Sequence, residues 1–262
     1  MTHQEAEDSA LVAVGGDKDV RKLLVALFST GFPWGDQQYN ESELIRHLWD
    51  PFLKTYLEPI ADCRGRWDKE FQPFKERRRI DTPRGRRPDY FLKVDLLGLE
   101  SFLFVLEAKK QRQTSPVQTD LEKIGNELKD SIDYLARNRV DISGVKVYGA
   151  VVVGVEATVY SMELMASGVY VMKQYGVLCA PRSNAHLGLI GQTINTLQNL
   201  ASEIEATIRK LKRSRLNTPH NWTRASFRTP RKVHRTGIAA VHASSPSLRP
   251  VNPGYSLAHE RL

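Results

Sequence analysis

The chain has 262 residues and 41% hydrophobic content, enough for one substantial domain but low for a chain folded from end to end. Its net charge of +8 is uneven: from Arg209 onward twelve Lys/Arg stand against one acidic residue, Glu260, while residues 1–208 carry 26 Lys/Arg against 29 acidic residues. No stretch approaches the length of a membrane span, the first residues lack an apolar signal core, and Cys63 and Cys179 make no disulfide framework, which argues against a helical membrane protein and a disulfide-stapled secreted scaffold and for an intracellular chain.

Residues 1–17 read as a disordered N-terminus. Val20, Leu23, Leu24 and Leu27 share one side of a predicted packing helix over 18–28. Residues 29–40 are rich in turn formers. Asn40 can cap a helix that starts at Glu41, and Pro51 should stop or kink it near Asp50. Its apolar stripe is Leu44, Ile45, Leu48 and Phe52, with Glu41 in the middle of the stripe and Glu43 on the opposite face. Glu41 is then either an acid turned toward the core or a first-turn acid favoured by the helix dipole. Residues 61–87 are strongly basic: Arg64, Arg66, Lys69, Lys75, Arg77, Arg78, Arg79, Arg84, Arg86 and Arg87, with Trp67, Phe71 and Phe74 interleaved. That composition suits a groove for a phosphate backbone, and it also suits a solvated face.

Pro88-Asp89-Tyr90 opens the most informative stretch. Phe102 to Leu106 is too apolar to be anything but a buried strand, and Glu107-Ala108-Lys109 follows it directly. A carboxylate at the end of a core strand is costly unless it is paired or binds a cation. With a hairpin turn at Gly98-Leu99-Glu100, paired residue numbers sum to about 198, so Asp89 should face Lys109 and Phe91 should face Glu107. Glu107 and Lys109 share a face, and Asp89 joins them diagonally. Two carboxylates and an ammonium should therefore converge at one sheet edge. Like charges about 4 Å apart repel by roughly 4 kcal/mol at an effective dielectric near 20, which a divalent cation would reverse.

Pro88-Asp89, the eighteen-residue step, and Glu107-Ala108-Lys109 resemble the PD-(D/E)xK nuclease superfamily; the flanking RRPDYF and FLFVLEAKKQ look most like restriction-type modules of fungal and other eukaryotic proteins. The resemblance covers roughly residues 38–182. Glu-x-Lys alone is unspecific, and the chain holds a second, Glu127-Leu128-Lys129; the specificity lies in Pro-Asp, spacing, hairpin and buried strand together. The resemblance implies an α/β fold with a restriction endonuclease-like αβββαβ core on a mixed central sheet. It implies phosphodiester hydrolysis with Asp89, Glu107 and Lys109 as the catalytic set. Asp89, Glu107 and the Ala108 carbonyl would hold Mg²⁺, or Mn²⁺ in its place, and Glu41 would match the extra helical carboxylate of many members. Lys109 would orient the attacking water or neutralise developing charge.

After Lys109, Lys110 and Arg112 lie in a polar, basic loop, which with Arg77, Arg78, Arg79, Arg84, Arg86 and Arg87 forms the expected nucleic-acid-binding set. Thr119 and Glu122 form a capping box opening a helix whose buried face is Leu121, Ile124, Leu128 and Leu135. Superfamily members often carry Gln-x-x-x-Tyr here; Tyr134 could match the Tyr, but Asp130 stands where Gln would be, so Lys129 and Tyr134 read as surface or packing residues. Strands are predicted over 145–155 and 169–179, giving the order α-β-β-α-β-β, with Cys179 as a core cysteine.

Leu187, Ile190, Ile194, Leu197, Ala201, Ile204, Ile208 and Leu211 form a heptad seam on a long amphipathic helix over 183–214, which can pack on the domain or pair with a second copy as a homodimer. Residues 215–262 read as a disordered basic tail, and the run from Arg209 to Arg215 resembles a nuclear-localisation or nucleic-acid patch. The expected nuclease-like domain is thus 18–182, its partner nucleic acid, DNA foremost, with no membrane. The alternative is a noncatalytic nucleic-acid-binding or interaction module on the same fold.

Overall fold

The structure is a computed structural model and describes residues 17–29, 45–67, 88–109, 117–181 and 190–213. All of these fall within one compact unit, residues 1–227. In chain order they form α1 (Lys18–Ser29), a π-helical turn (Ile45–Trp49), α2 (Asp50–Tyr56), β1 (Cys63–Trp67), β2 (Tyr90–Leu96), β3 (Leu99–Lys109), α3 (Val117–Arg137), β4 (Lys146–Val153), β5 (Glu156–Ala166), β6 (Val169–Cys179) and α4 (Ile190–Arg213). The six strands make a single mixed sheet in the order β1-β2-β3-β4-β5-β6. Only the β3–β4 pair is parallel, and α3 is the crossover that joins it.

The side chains of Tyr148 and Gly149 define the layers, because neighbouring residues of a strand point to opposite faces. A Cβ on Gly149 would stand 2.7 Å from Ile124 of α3, so α3 covers that face at a distance only glycine permits. The Tyr148 hydroxyl donates to Glu203 Oε2 of α4 at 2.6 Å, so α4 covers the other face. α3 contributes Ile124, Leu128, Ile132 and Leu135 to the core, all fully buried. On α4, Leu197, Leu200 and Ile204 are fully buried, and Ile190, Ile194, Ile208 and Leu211 are nearly so. The apolar seam that sequence offered for packing or for a homodimer is therefore used against the chain's own core, with Leu187 outside the described residues.

Lys109, Val153, Glu156 and Cys179 are level across β3, β4, β5 and β6, and mark one end of the sheet. α4 starts at that end, where Thr193 Oγ1 donates to the Cys179 carbonyl at 2.9 Å and accepts from its N–H at 2.8 Å. It finishes at the other end, where Lys210 donates to the Ser143 carbonyl and Lys212 pairs with Asp62.

The structure corrects several expectations. The hairpin turns one residue earlier than predicted, at Leu97-Gly98, with φ of 58° and 88° and Leu96 opposite Leu99. Both residues take the left-handed conformation that a tight two-residue hairpin turn demands, and leucine is not a turn signal. An irregularity between Leu92 and Lys93 then inserts Leu103 into β3. As a result Phe91 faces Val105, not Glu107, and continuing the same count puts Asp89 level with Glu107, not Lys109.

Two further strands, β1 and β5, were not predicted. β1 is short and hidden in the basic run; β5 has its alternation broken by shifts at Val159/Tyr160 and Leu164/Ala166. The π-helical turn ends at Trp49 and α2 starts at Asp50, the place where Pro51 was expected to stop or kink the helix, and Pro51 itself sits in the first turn of α2, where a missing N–H costs nothing. α3 begins at Val117, so Thr119 lies inside it and does not cap it. Lys129, read as a surface or packing residue, takes the packing role: it is 5% exposed, paired with Asp133, and its Nζ lies 4.9 Å from the centre of the Tyr170 ring. Tyr170, itself half-buried, donates its hydroxyl to the other oxygen of Asp133, which closes a charge-compensated triad around the buried Lys129–Asp133 pair.

Candidate carboxylate site at the β2–β3 edge

Phe102 to Leu106 carries β3 through the core with every side chain at most 1% exposed, so the strand delivers Glu107 to the sheet end while it is still inside. Glu107 is itself only 5% exposed. Pro88 is buried just before Asp89, whose Oδ2 accepts from the Ala108 N–H at 2.7 Å. That bond fixes the Asp89 carboxylate against the peptide following Glu107. Asp89, Glu107 and Ala108 are thus brought together as sequence expected, by a register two residues different from the expected one.

Lys109 behaves differently. Its Nζ lies 3.0 Å from Asp120 Oδ1, in the first turn of α3. The ammonium that pairs with Glu107, at Oε2, belongs to Lys123. Glu127, 1% exposed, stands one helical turn further along α3. At 100° per residue Asp120, Lys123 and Glu127 share one face of α3. Glu107 and Lys109 share the face of β3 beneath it, so the contact is a short ladder of alternating charge under a helix.

The electrostatics follow from burial. The Glu107 carboxyl is pushed up to about 9, first by desolvation, then by the charge of Glu127, against the pull of Lys123, with Asp89 adding to the rise. Burial works to lower the Lys123 ammonium, but Glu107 and then Glu127 outweigh it and raise it above the usual lysine value. Glu107 Oε1 is buried with no hydrogen-bond partner. A buried acceptor in that state costs about 1–3 kcal/mol, more when it is charged. A cation on that oxygen would remove the cost.

Among the described residues no group of three or more His, Cys, Asp or Glu side chains is gathered to hold a metal ion. The set implied by the resemblance needs only two such side chains plus a backbone carbonyl. All its donors are oxygens, which suits a hard cation that keeps several waters. The orphaned Glu107 oxygen, with the Asp89 carboxylate held on the next peptide N–H, fits such an ion. Glu41, Arg77, Arg78, Arg79, Arg84, Arg86, Arg87, Lys110 and Arg112 lie outside the described residues.

Sequence reasoning missed Asp120, Lys123 and Glu127. A signal existed: on the helical wheel Asp120 and Glu127 border the stripe of Ile124, Leu128 and Leu135, and acids at the edge of an apolar stripe need a partner where the helix packs down.

The end of β3 is held from the far side as well. Gly154, in the β4–β5 turn, donates its N–H to the Lys109 carbonyl at 3.2 Å, and its own carbonyl accepts from the Trp49 indole at 3.2 Å. The Trp67 indole donates to Asp50 Oδ1 at 3.0 Å, and its ring lies 4.5 Å from that of Tyr90, which adjoins Asp89. The strand ends that carry the carboxylates are thus braced by indoles on two sides.

Comparison with protein-family models, with curated proteins and with solved structures finds no match.

Proposed function

We propose that the chain is a metal-dependent phosphodiesterase of the PD-(D/E)xK type that hydrolyses nucleic acid, DNA foremost. The observation that carries this reading is the meeting of Asp89 and Glu107 at one strand end, with a buried Glu107 oxygen that lacks a hydrogen-bond partner. A hairpin followed by a helical crossover into a parallel strand supports the restriction endonuclease-like core expected from the resemblance.

Asp89 and Glu107, with the Ala108 carbonyl, would hold Mg²⁺ or Mn²⁺. When bound, that ion supplies Lewis-acid polarisation of the phosphodiester and a more acidic water. The Ala108 N–H holds Asp89 in place, and the apolar strand behind Glu107 keeps its surroundings of low dielectric, which strengthens each charge there. The cations of 64–87, of the loop after Lys109 and of the tail would supply salt-dependent affinity for phosphates. The basic run from Arg209 to Arg215 fits a nuclear address.

Cleavage of supercoiled plasmid, linear DNA and RNA with Mg²⁺, Mn²⁺ or EDTA tests this. Metal-dependent cutting should fall about a thousandfold in Asp89→Ala, or roughly 4 kcal/mol of transition-state stabilisation. Equal cutting by wild type and variant would refute the assignment. One observation favours a second reading, a noncatalytic module on the same fold: Lys123 already occupies one oxygen of Glu107 from within the chain. Nucleic-acid binding without cutting by a folded wild type would select it.

A further inference from the structure

We infer that Lys123, on α3, is the positioning cation of the carboxylate site, the part that the Glu-x-Lys pattern gives to Lys109. This rests on the phosphodiesterase reading and concerns which lysine serves it. The Glu-x-Lys lysine is engaged elsewhere: Lys109 Nζ is 3.0 Å from Asp120 Oδ1, and the Asp120 side chain is 9% exposed. That bond ties the end of β3 to the first turn of α3, so Lys109 acts as a structural tie. Lys123 Nζ instead contacts Glu107 Oε2. The Lys123 side chain is 26% exposed where that of Glu107 is 6% exposed, so the lysine lies nearer to solvent than the carboxylate. An anionic phosphodiester approaching from solvent meets Lys123 before it meets Glu107.

The location explains why a helix supplies this group. Lys123 shares a face of α3 with Asp120 and Glu127, and Gly149 lets the adjoining Ile124 and Leu128 come down onto the sheet at Val105, two residues before Glu107. Glu127 lies one turn beyond and adds to the pull on the ammonium. The charge of Glu127 would still attract the ammonium with Glu107 taken up by a divalent ion. It would then stay beside Glu107 with its charge directed to the incoming phosphate.

This reading makes metal affinity and turnover move in opposite directions, which a merely structural role would not. Calorimetric titration of the full chain with Mn²⁺ should show Lys123→Met binding about tenfold more tightly, since a competing cation is gone. Plasmid cleavage by the same variant should drop about a thousandfold, and Lys123→Arg should recover part of it. Lys109→Met should lose about tenfold in cleavage, with Mn²⁺ affinity as in wild type and a lower melting temperature. If Lys123→Met does not fold, Lys123→Gln carries the same expectation. A wild type that cuts, with Lys109→Met the inactive variant and either Lys123 variant close to wild type, would overturn this inference and leave the phosphodiesterase reading standing. Loss of both Mn²⁺ binding and cleavage in a folded Lys123 variant would assign it a structural role and overturn the inference too. A folded wild type that neither binds Mn²⁺ nor cuts would remove the phosphodiesterase reading, and this inference with it.

Discussion

Replacing Glu107 by glutamine should change how stability depends on pH, and the structure fixes the sign. The Glu107 carboxyl rises from an ordinary 4.5 to about 9 in the folded chain, chiefly because it is desolvated at the end of β3. A folded value above the unfolded one means that the native state holds about one proton more than the unfolded state between pH 4.5 and about 9. Its contribution is therefore intact below pH 4.5 and is lost as the pH climbs through that window. One extra proton corresponds to a slope of about 1.4 kcal/mol per pH unit. Accumulated over the window, the loss is on the order of 6 kcal/mol, comparable with the whole stability of a typical domain at about 5–15 kcal/mol.

Glutamine keeps the shape and cannot ionise, so its curve should lack this slope. Urea unfolding of wild type and Glu107→Gln at pH 5, 7 and 9 in EDTA measures the difference. The variant should gain on wild type steadily as the pH rises, with the two close to each other at the acid end. Adding Mg²⁺ should flatten the wild-type curve, because the ion binds the ionised form that the fold alone disfavours. Parallel curves for the two proteins would show that Glu107 ionises in the folded chain as it does in water, and the description of a desolvated, under-satisfied carboxylate would fall.

Two other sites give independent tests of the packing. Gly149→Ala drives a methyl into Ile124, Leu128 and Val105, at 2.7, 3.3 and 3.3 Å from the new Cβ, and should cost about 1–3 kcal/mol in chemical denaturation. A cost below about 0.5 kcal/mol would mean that α3 sits further from β4 than described. Tyr170→Phe removes the hydroxyl that donates to Asp133, whose residue is 2% exposed, and should destabilise by about 1–3 kcal/mol with the fold kept. An unchanged midpoint would show that the Lys129–Asp133 pair is satisfied without it.

What was legible in the sequence was what periodicity and burial write into it. The run Phe102 to Leu106 announced a core strand, and the acid that ends it was recognisable as an anomaly from its neighbours alone. The stripe of α4 and the apolar run of β4 were equally plain. What failed were features set by single residues against preference. Leucine at 97 in a left-handed conformation moved the hairpin turn, and the extra Leu103 moved the register again, so the convergence of Asp89 with Glu107 was anticipated while its geometry was not. β5 was missed because two shifts break its alternation. Lys123 was missed because attention to a three-residue pattern on a strand passes over a helix fourteen residues on, whose charges only acquire meaning once the crossover lays them over the strand end.

The order of the sheet has a consequence for how the chain is made. Strands that are neighbours in space are neighbours in sequence throughout, so each strand can pair with one already present, and only the β3–β4 step needs a helix-sized loop to close. Synthesis from the N-terminus can therefore build the sheet progressively, with α3 covering one face as soon as β4 arrives. The opposite face must wait. Its cover, α4, ends at Arg213 and reaches back to β2 and α2, elements made more than a hundred residues earlier. Until the ribosome has released that helix, a nascent chain complete to Cys179 carries six strands with an apolar face open to water, which is the interval in which it most needs protection from other chains.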